Sequence, residues 1–151
     1  MASLADVISQ PERRKAVVAD AEKVVDLEVG DKSGLSGFAI KGGFALVKGL
    51  KPGIIGELVE GLLPEFCGAV DPILAKRPPG NTDIAGFLNG RSSEVIQSLL
   101  GVTDARAKKS THASLVKMYE KLRPTAEKNV AAAIPRLAGL IERHLKPLEK
   151  T

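Results

Sequence analysis

The sequence predicts an all-α protein, and three observations carry that prediction. Apolar residues recur near a 3.6-residue interval through most of the chain. No alternating apolar–polar run long enough for a strand occurs. Glycine and proline fall mainly between the apolar stretches, where helices begin and end. The expected architecture is a compact bundle of about five to seven helices. It forms one domain over residues 1–151, with the loop at 76–81 as its only point of subdivision. With 44% hydrophobic but only 3% aromatic residues and no tryptophan, the core has to be built from Leu, Ile, Val and Ala.

After a short helical turn over 3–8, Ser9-Gln10-Pro11-Glu12 reads as a helix start. Ser9 is the cap, Pro11 sits in the first turn and Glu12 completes a capping box. Val17, Val18, Ala21, Val24, Val25 and Val29 then form one face, with Arg14, Asp20, Glu22 and Lys23 outward. Gly30 ends this helix, and Asp31, Lys32 and Ser33 connect it to the next. The following stretch, Gly34 to Phe66, is the most apolar and glycine-rich part of the chain. Its first helix, Leu35 to Leu50, is apolar almost all round except near Lys41 and Lys48. That pattern belongs to a central helix. Gly42 and Gly49 share a face on which a neighbour would approach closely, each at a cost of about 1 kcal/mol in helix propensity. Pro52 ends the helix. Ile54, Ile55, Leu58, Val59, Leu62 and Leu63 give the second arm a core face, and Pro64 either kinks it or starts a new helix through Leu74. The Leu35–Leu63 hairpin is therefore expected at the centre of the bundle.

Lys76-Arg77-Pro78-Pro79-Gly80-Asn81 is the clearest linker. Asn81 or Thr82 should cap a short helix carrying Ile84, Phe87 and Leu88. A further helix with Val95, Ile96, Leu99 and Leu100 is expected to stop at Gly101. Thr103 and Asp104 then cap a basic turn, Ala105 to Lys109. A helix through Leu115, Val116, Tyr119 and Leu122 ends at Arg123-Pro124. In the last helix Val130, Ile134, Leu137, Ala138, Ile141 and Leu145 form one stripe, and Pro135 should kink it.

Charge divides the chain unequally: residues 1–75 carry a net −3 and residues 76–151 a net +7. The signs are interspersed, as on a solvated surface. The one cysteine, Cys67, has no internal disulfide partner and fits a reducing, cytoplasmic setting. The N-terminal stretch lacks the basic-then-apolar pattern of a secretory signal. Lysines interrupt every apolar run before it reaches the ~20 residues needed to span a bilayer.

Several chemistries are disfavoured. His112 and His144 lie on different helices outside any metal-binding spacing, and Glu57 and Glu60 lack the Glu-x-x-His partners of a di-metal bundle. Cys67, next to Phe66 in an apolar helix, reads as an inert core thiol and not a nucleophile. His144 suits a helix C-terminus, and His112 and Tyr119, seven apart, share a face without making a site. The glycines match neither phosphate-binding pattern. Basic residues of the second half, Arg106, Lys108, Lys109, Lys117, Lys121 and Arg123, lack the motif and aromatic residues that nucleic-acid binding needs.

The run Asp31-Lys32-Ser33-Gly34-Leu35-Ser36-Gly37, with Ala39-Ile40-Lys41, Val47-Lys48, Lys51-Pro52-Gly53 and Leu63-Pro64-Glu65-Phe66, resembles a family of small helical bacterial proteins classed only as a domain of unknown function. Val102-Thr103-Asp104-Ala105-Arg106, Ile134-Pro135-Arg136-Leu137 and Ile141-Glu142-Arg143-His144 are similar to it as well. The resemblance covers nearly the whole chain and implies no activity, cofactor or catalytic residue.

The expectation is a non-enzymatic cytoplasmic structural or protein-interaction module without metal or cofactor, with self-association as one mode. The alternative is a lipid or membrane-surface binder using the Leu35–Leu63 hairpin. Partner-contacting residues are sought at Lys41, Lys48 and Lys51, and at Arg106, Lys108 and Lys109.

Overall fold

The computed structural model describes residues 2–32 and 34–149, with the backbone alone for Leu35 and Ser36. The expected connector residue Ser33 and the Leu35 side chain thus lie outside the described residues. The helices are α1 (Leu4–Ile8), α2 (Pro11–Asp31), α3 (Gly34–Lys48), α4 (Ile54–Leu74), α5 (Ile84–Gly90), α6 (Ser92–Lys109), α7 (Ala113–Leu122) and α8 (Ala126–Glu149), with a 3₁₀ turn, Arg123–Thr125, before the last. No strand occurs among the described residues.

The core is assembled by α8. Its Ile134, Ala138, Ile141 and Leu145 form a single buried stripe, the one the spacing predicts. Against it lie Ile84 and Leu88 of α5 and Val95, Ile96 and Leu100 of α6. Leu63, Cys67, Val70, Ile73 and Leu74 of α4 complete the same cluster, with Leu4, Val7 and Val17. The buried part of α4 therefore lies at and beyond Pro64, while Ile54, Ile55, Leu58, Val59 and Leu62 are only half-buried. Pro64 neither breaks α4 nor starts a new helix, and α8 runs unbroken through Pro135. Both prolines are solvent-exposed, so the backbone donors they remove belong to the outer side.

The central hairpin is the main correction. Its second arm reaches the core through Leu63, but α3 is peripheral, with Phe38 81% and Leu46 67% exposed. Ile40, Phe44 and Val47 give α3 a half-buried inner side. The close-approach glycines are also different ones. Gly37 and Gly43 are buried, and a Cβ on Gly37 would fall 2.6 Å from the Lys32 carbonyl carbon. Around Gly42 nothing lies within 4 Å, and Gly49 meets only carbonyls of its own helix. The turn into α4 is made by Gly53, whose φ of 76° favours glycine.

Several caps differ from expectation because nearby acceptors compete. Gln10 precedes α2 without a side-chain cap, and Ser9 donates instead to the Asp6 carbonyl at 2.7 Å. The capping box is one element earlier, between Ser3 and Asp6. Asp83 caps α5 while Asn81 accepts from the Asp83 amide. Gly101 does not stop α6, which continues to Lys109 and takes Thr103 and Asp104 into its interior. The 76–81 loop is anchored: Arg77, 3% exposed, pairs with Glu149 at the end of α8 and donates to the Asn81 carbonyl. On α2, Asp20 is not simply outward, since it accepts from Arg143 at 3.1 Å and faces His144 Nε2 at 2.8 Å.

Candidate interaction surface

The outer side of α3 follows from its register. Phe38, Gly42, Ala45 and Gly49 occupy the middle of the exposed face, since steps of three, four and seven residues return to one side of a helix. Lys41 and Lys48 border it on one margin, Ala39 and Leu46 on the other. Past Leu46, a groove of about 250 Å³ separates this helix from α7. Its floor includes Leu46, Val47, Leu50, Leu115 and Met118, and its far rim carries Lys117 and Lys121. An apolar strip thus runs between two lines of lysine.

Of the lysines sought here, Lys41 makes no ion pair among the described residues. Lys48 lies 3.9 Å from Asp26 and over the Phe44 ring, and Lys51 pairs with Glu57 at 2.7 Å. All three are exposed. The sequence does not reveal that Phe38, Leu46 and Leu50 are exposed, because an all-round apolar helix has the same pattern whether its second face meets protein or something outside it. In the sequence Lys117 and Lys121 stand out only as part of a basic half.

A second concavity, of about 450 Å³, lies between the first half of α4, the last turns of α6 and α7. Leu58, Leu62, Leu115 and Val116 line it, and so do His112 and Tyr119, whose spacing already puts them on one face. It also brings in Glu57, which sequence spacing does not connect to either. Arg106 and Lys109 are at its lip, whereas Lys108 does not line it. Arg106 donates to the Gly61 carbonyl at 2.7 Å and lies 3.5 Å from Glu65.

One end of α7 is pinned by a polar cluster. Tyr119 donates to Asp104 Oδ1 and lies 2.8 Å from Thr103 Oγ1. Arg123 reaches both Asp104 oxygens, at 2.8 and 3.0 Å. Hydrogen bonds from Arg123 and then Tyr119 hold the Asp104 carboxyl below its ordinary range. Burial, reinforced by the bond to Asp104, pushes the Tyr119 phenol up, so it stays a donor. Otherwise α7 buries none of its residues.

The remaining titratable candidates are structural in their contacts. Burial, with Asp71 nearby, pushes the Cys67 thiol up to about 12, which keeps it protonated and unreactive. Among the described residues no group of three His, Cys, Asp or Glu is placed to hold a metal. No helix among them is long and apolar enough to cross a membrane.

No curated protein and no solved structure matches this chain. A family model does match, over residues 4–145. The chain belongs to that family, a family of unknown function (DUF6918).

Proposed function

We propose that this protein is a non-enzymatic interaction module that docks on an anionic membrane surface through the outer face of α3. The observation that carries this reading is Phe38 and Leu46, 81% and 67% exposed, in a strip bordered on both sides by lysines. Apolar groups flanked by lysine suit a helix lying in the headgroup region, with its charges at the level of the phosphates. Burying Phe38 contributes about 1.5–3 kcal/mol, and each lysine near an anionic surface about 1 kcal/mol. Together these support reversible binding. Lys48 and Lys51 would exchange their exposed partners Asp26 and Glu57 for phosphate.

A second copy of the chain is a poorer occupant. A two-fold axis through this strip would set lysines of one molecule against lysines of the other, and like charges oppose that pairing. A cytoplasmic setting suits the reading, because the inner leaflet is the anionic one and the lone Cys67 needs no oxidant.

Co-sedimentation with phosphatidylglycerol vesicles tests the proposal. The protein should pellet with these and not with phosphatidylcholine vesicles, and the F38S and K41E/K48E variants should stay in the supernatant. Equal pelleting by F38S, or none by the unaltered protein, would remove it. A concentration-dependent dimer that F38S abolishes would give the face to a second copy instead.

A further inference from the structure

The cleft between α4, α6 and α7 calls for its own occupant. Its walls, Leu58, Leu62, Leu115 and Val116, are aliphatic and only half-buried, and they face about 450 Å³ of open space. That volume is ordinary for a small-molecule site and large for a packing defect. The trough runs along α6 from Thr103 to Ser110, a length of about 10 Å at 1.5 Å per residue.

Its two ends differ in polarity. At the Thr103 end the hydroxyls of Thr103 and Tyr119 are engaged with each other and with Asp104, so a ligand meets no unsatisfied polar group there. At the α6–α7 turn stand Lys109 and His112, with the hydroxyls of Ser110 and Thr111. Lys109 has no ion pair among the described residues. The acidic residue on this rim, Glu57, is matched by Lys51 at 2.7 Å. Arg106 is held by Glu65 and the Gly61 carbonyl, so Lys109 is the unspent charge, with Lys108 beside it in the chain.

From this we infer that the cleft binds a single-chain anionic amphiphile. The apolar tail lies along the leucine walls toward Tyr119, and the anionic head sits at Lys109 and His112. This site shares Leu115 with the groove beside α3 but takes in no residue of α3 itself, and its test needs no membrane.

The composition supplies the reporter, because Tyr119 is the sole tyrosine and there is no tryptophan. Tyrosine emission of the full chain is titrated with decanoate, decyl phosphate and decyltrimethylammonium, each below its micelle concentration. Both anions should give a saturable change, and the tighter of the two identifies the head group. The K109E variant, altered at an exposed unpaired residue, should bind them roughly tenfold more weakly, the loss expected for reversing one exposed charge contact. G61L should fill the trough and abolish binding while circular dichroism stays unchanged. A Cβ at Gly61 meets only the Arg106 guanidinium, at 3.3 Å, and that side chain can yield. F38S should bind decanoate normally, which separates this result from the vesicle experiment. Equal affinity for the cation, no saturable change with either anion, or undiminished binding by G61L would overturn the inference.

Discussion

Arg77 shows what one residue does to the meaning of a loop. In a stretch with every compositional mark of a linker, its guanidinium turns inward and meets Glu149 from the far end of the chain. Nε of Arg77 has no partner, so the pair already tolerates one unsatisfied donor. Removing the carboxylate would leave the guanidinium buried and unpaired, which costs about 3–5 kcal/mol. E149A should therefore lower the urea midpoint strongly, whereas R77M, which removes the buried charge itself, should cost less. Chemical denaturation of both variants decides the ranking, and equal midpoints for R77M and E149A would contradict it. Sequence could not reveal this pair, because 72 residues separate its members.

Among the elements, α3 is the one whose place differs from the sequence expectation, and its glycines show why. Gly42 and Gly49 share a face and look like packing positions, but their side of the helix is open. Gly37 and Gly43 carry the contacts instead. G42A should stabilise the protein by up to about 1 kcal/mol, through helix propensity alone. G37A should destabilise it by about 1–3 kcal/mol, because the new methyl meets the backbone of Lys32. Thermal unfolding should shift in opposite directions for the two variants, and shifts of the same sign would refute the assignment of faces. By contrast α8 was legible almost residue by residue. One of its sides is apolar and the other carries Asn129, Arg136 and Arg143, so its register had a single solution. For α3 the period showed a helix but not which side faced protein. The cleft was less legible still, since Leu58, Arg106 and Tyr119 meet only through the tertiary fold.

Across the whole molecule, helices are joined at the surface by carboxylates whose charge the fold favours. Burial raises the Asp20 carboxyl, but bonds from His144 and Arg143 outweigh it and leave the group below its ordinary value of 3.8. Asp104, between α6 and α7, is lowered as well. A carboxylate depressed in the folded state contributes stability that is complete above its unfolded value. That contribution is lost as pH falls through the folded value. The melting temperature should thus hold steady above about pH 5 and drop as pH falls past 3.8 and below. D20N and D104N should each be less stable at neutral pH and show a shallower acid slope. Melting curves across this range check the sign, and a slope unchanged in both variants would refute it.

The position of α8 carries a consequence for how the chain is made. Leu4 and Val7 from α1, and the buried faces of α4, α5 and α6, all share one cluster with Ile134 to Leu145. The part of that cluster that α5, α2 and α6 form with α8 is not closed until the last helix leaves the ribosome. At ordinary elongation rates, translating the chain from the end of α5 to the end of α8 takes roughly 3–12 s. During that interval Ile84 and Leu88 of α5, which pack chiefly on α8, are without their final cover, and the nascent chain is a ready client for a holding chaperone.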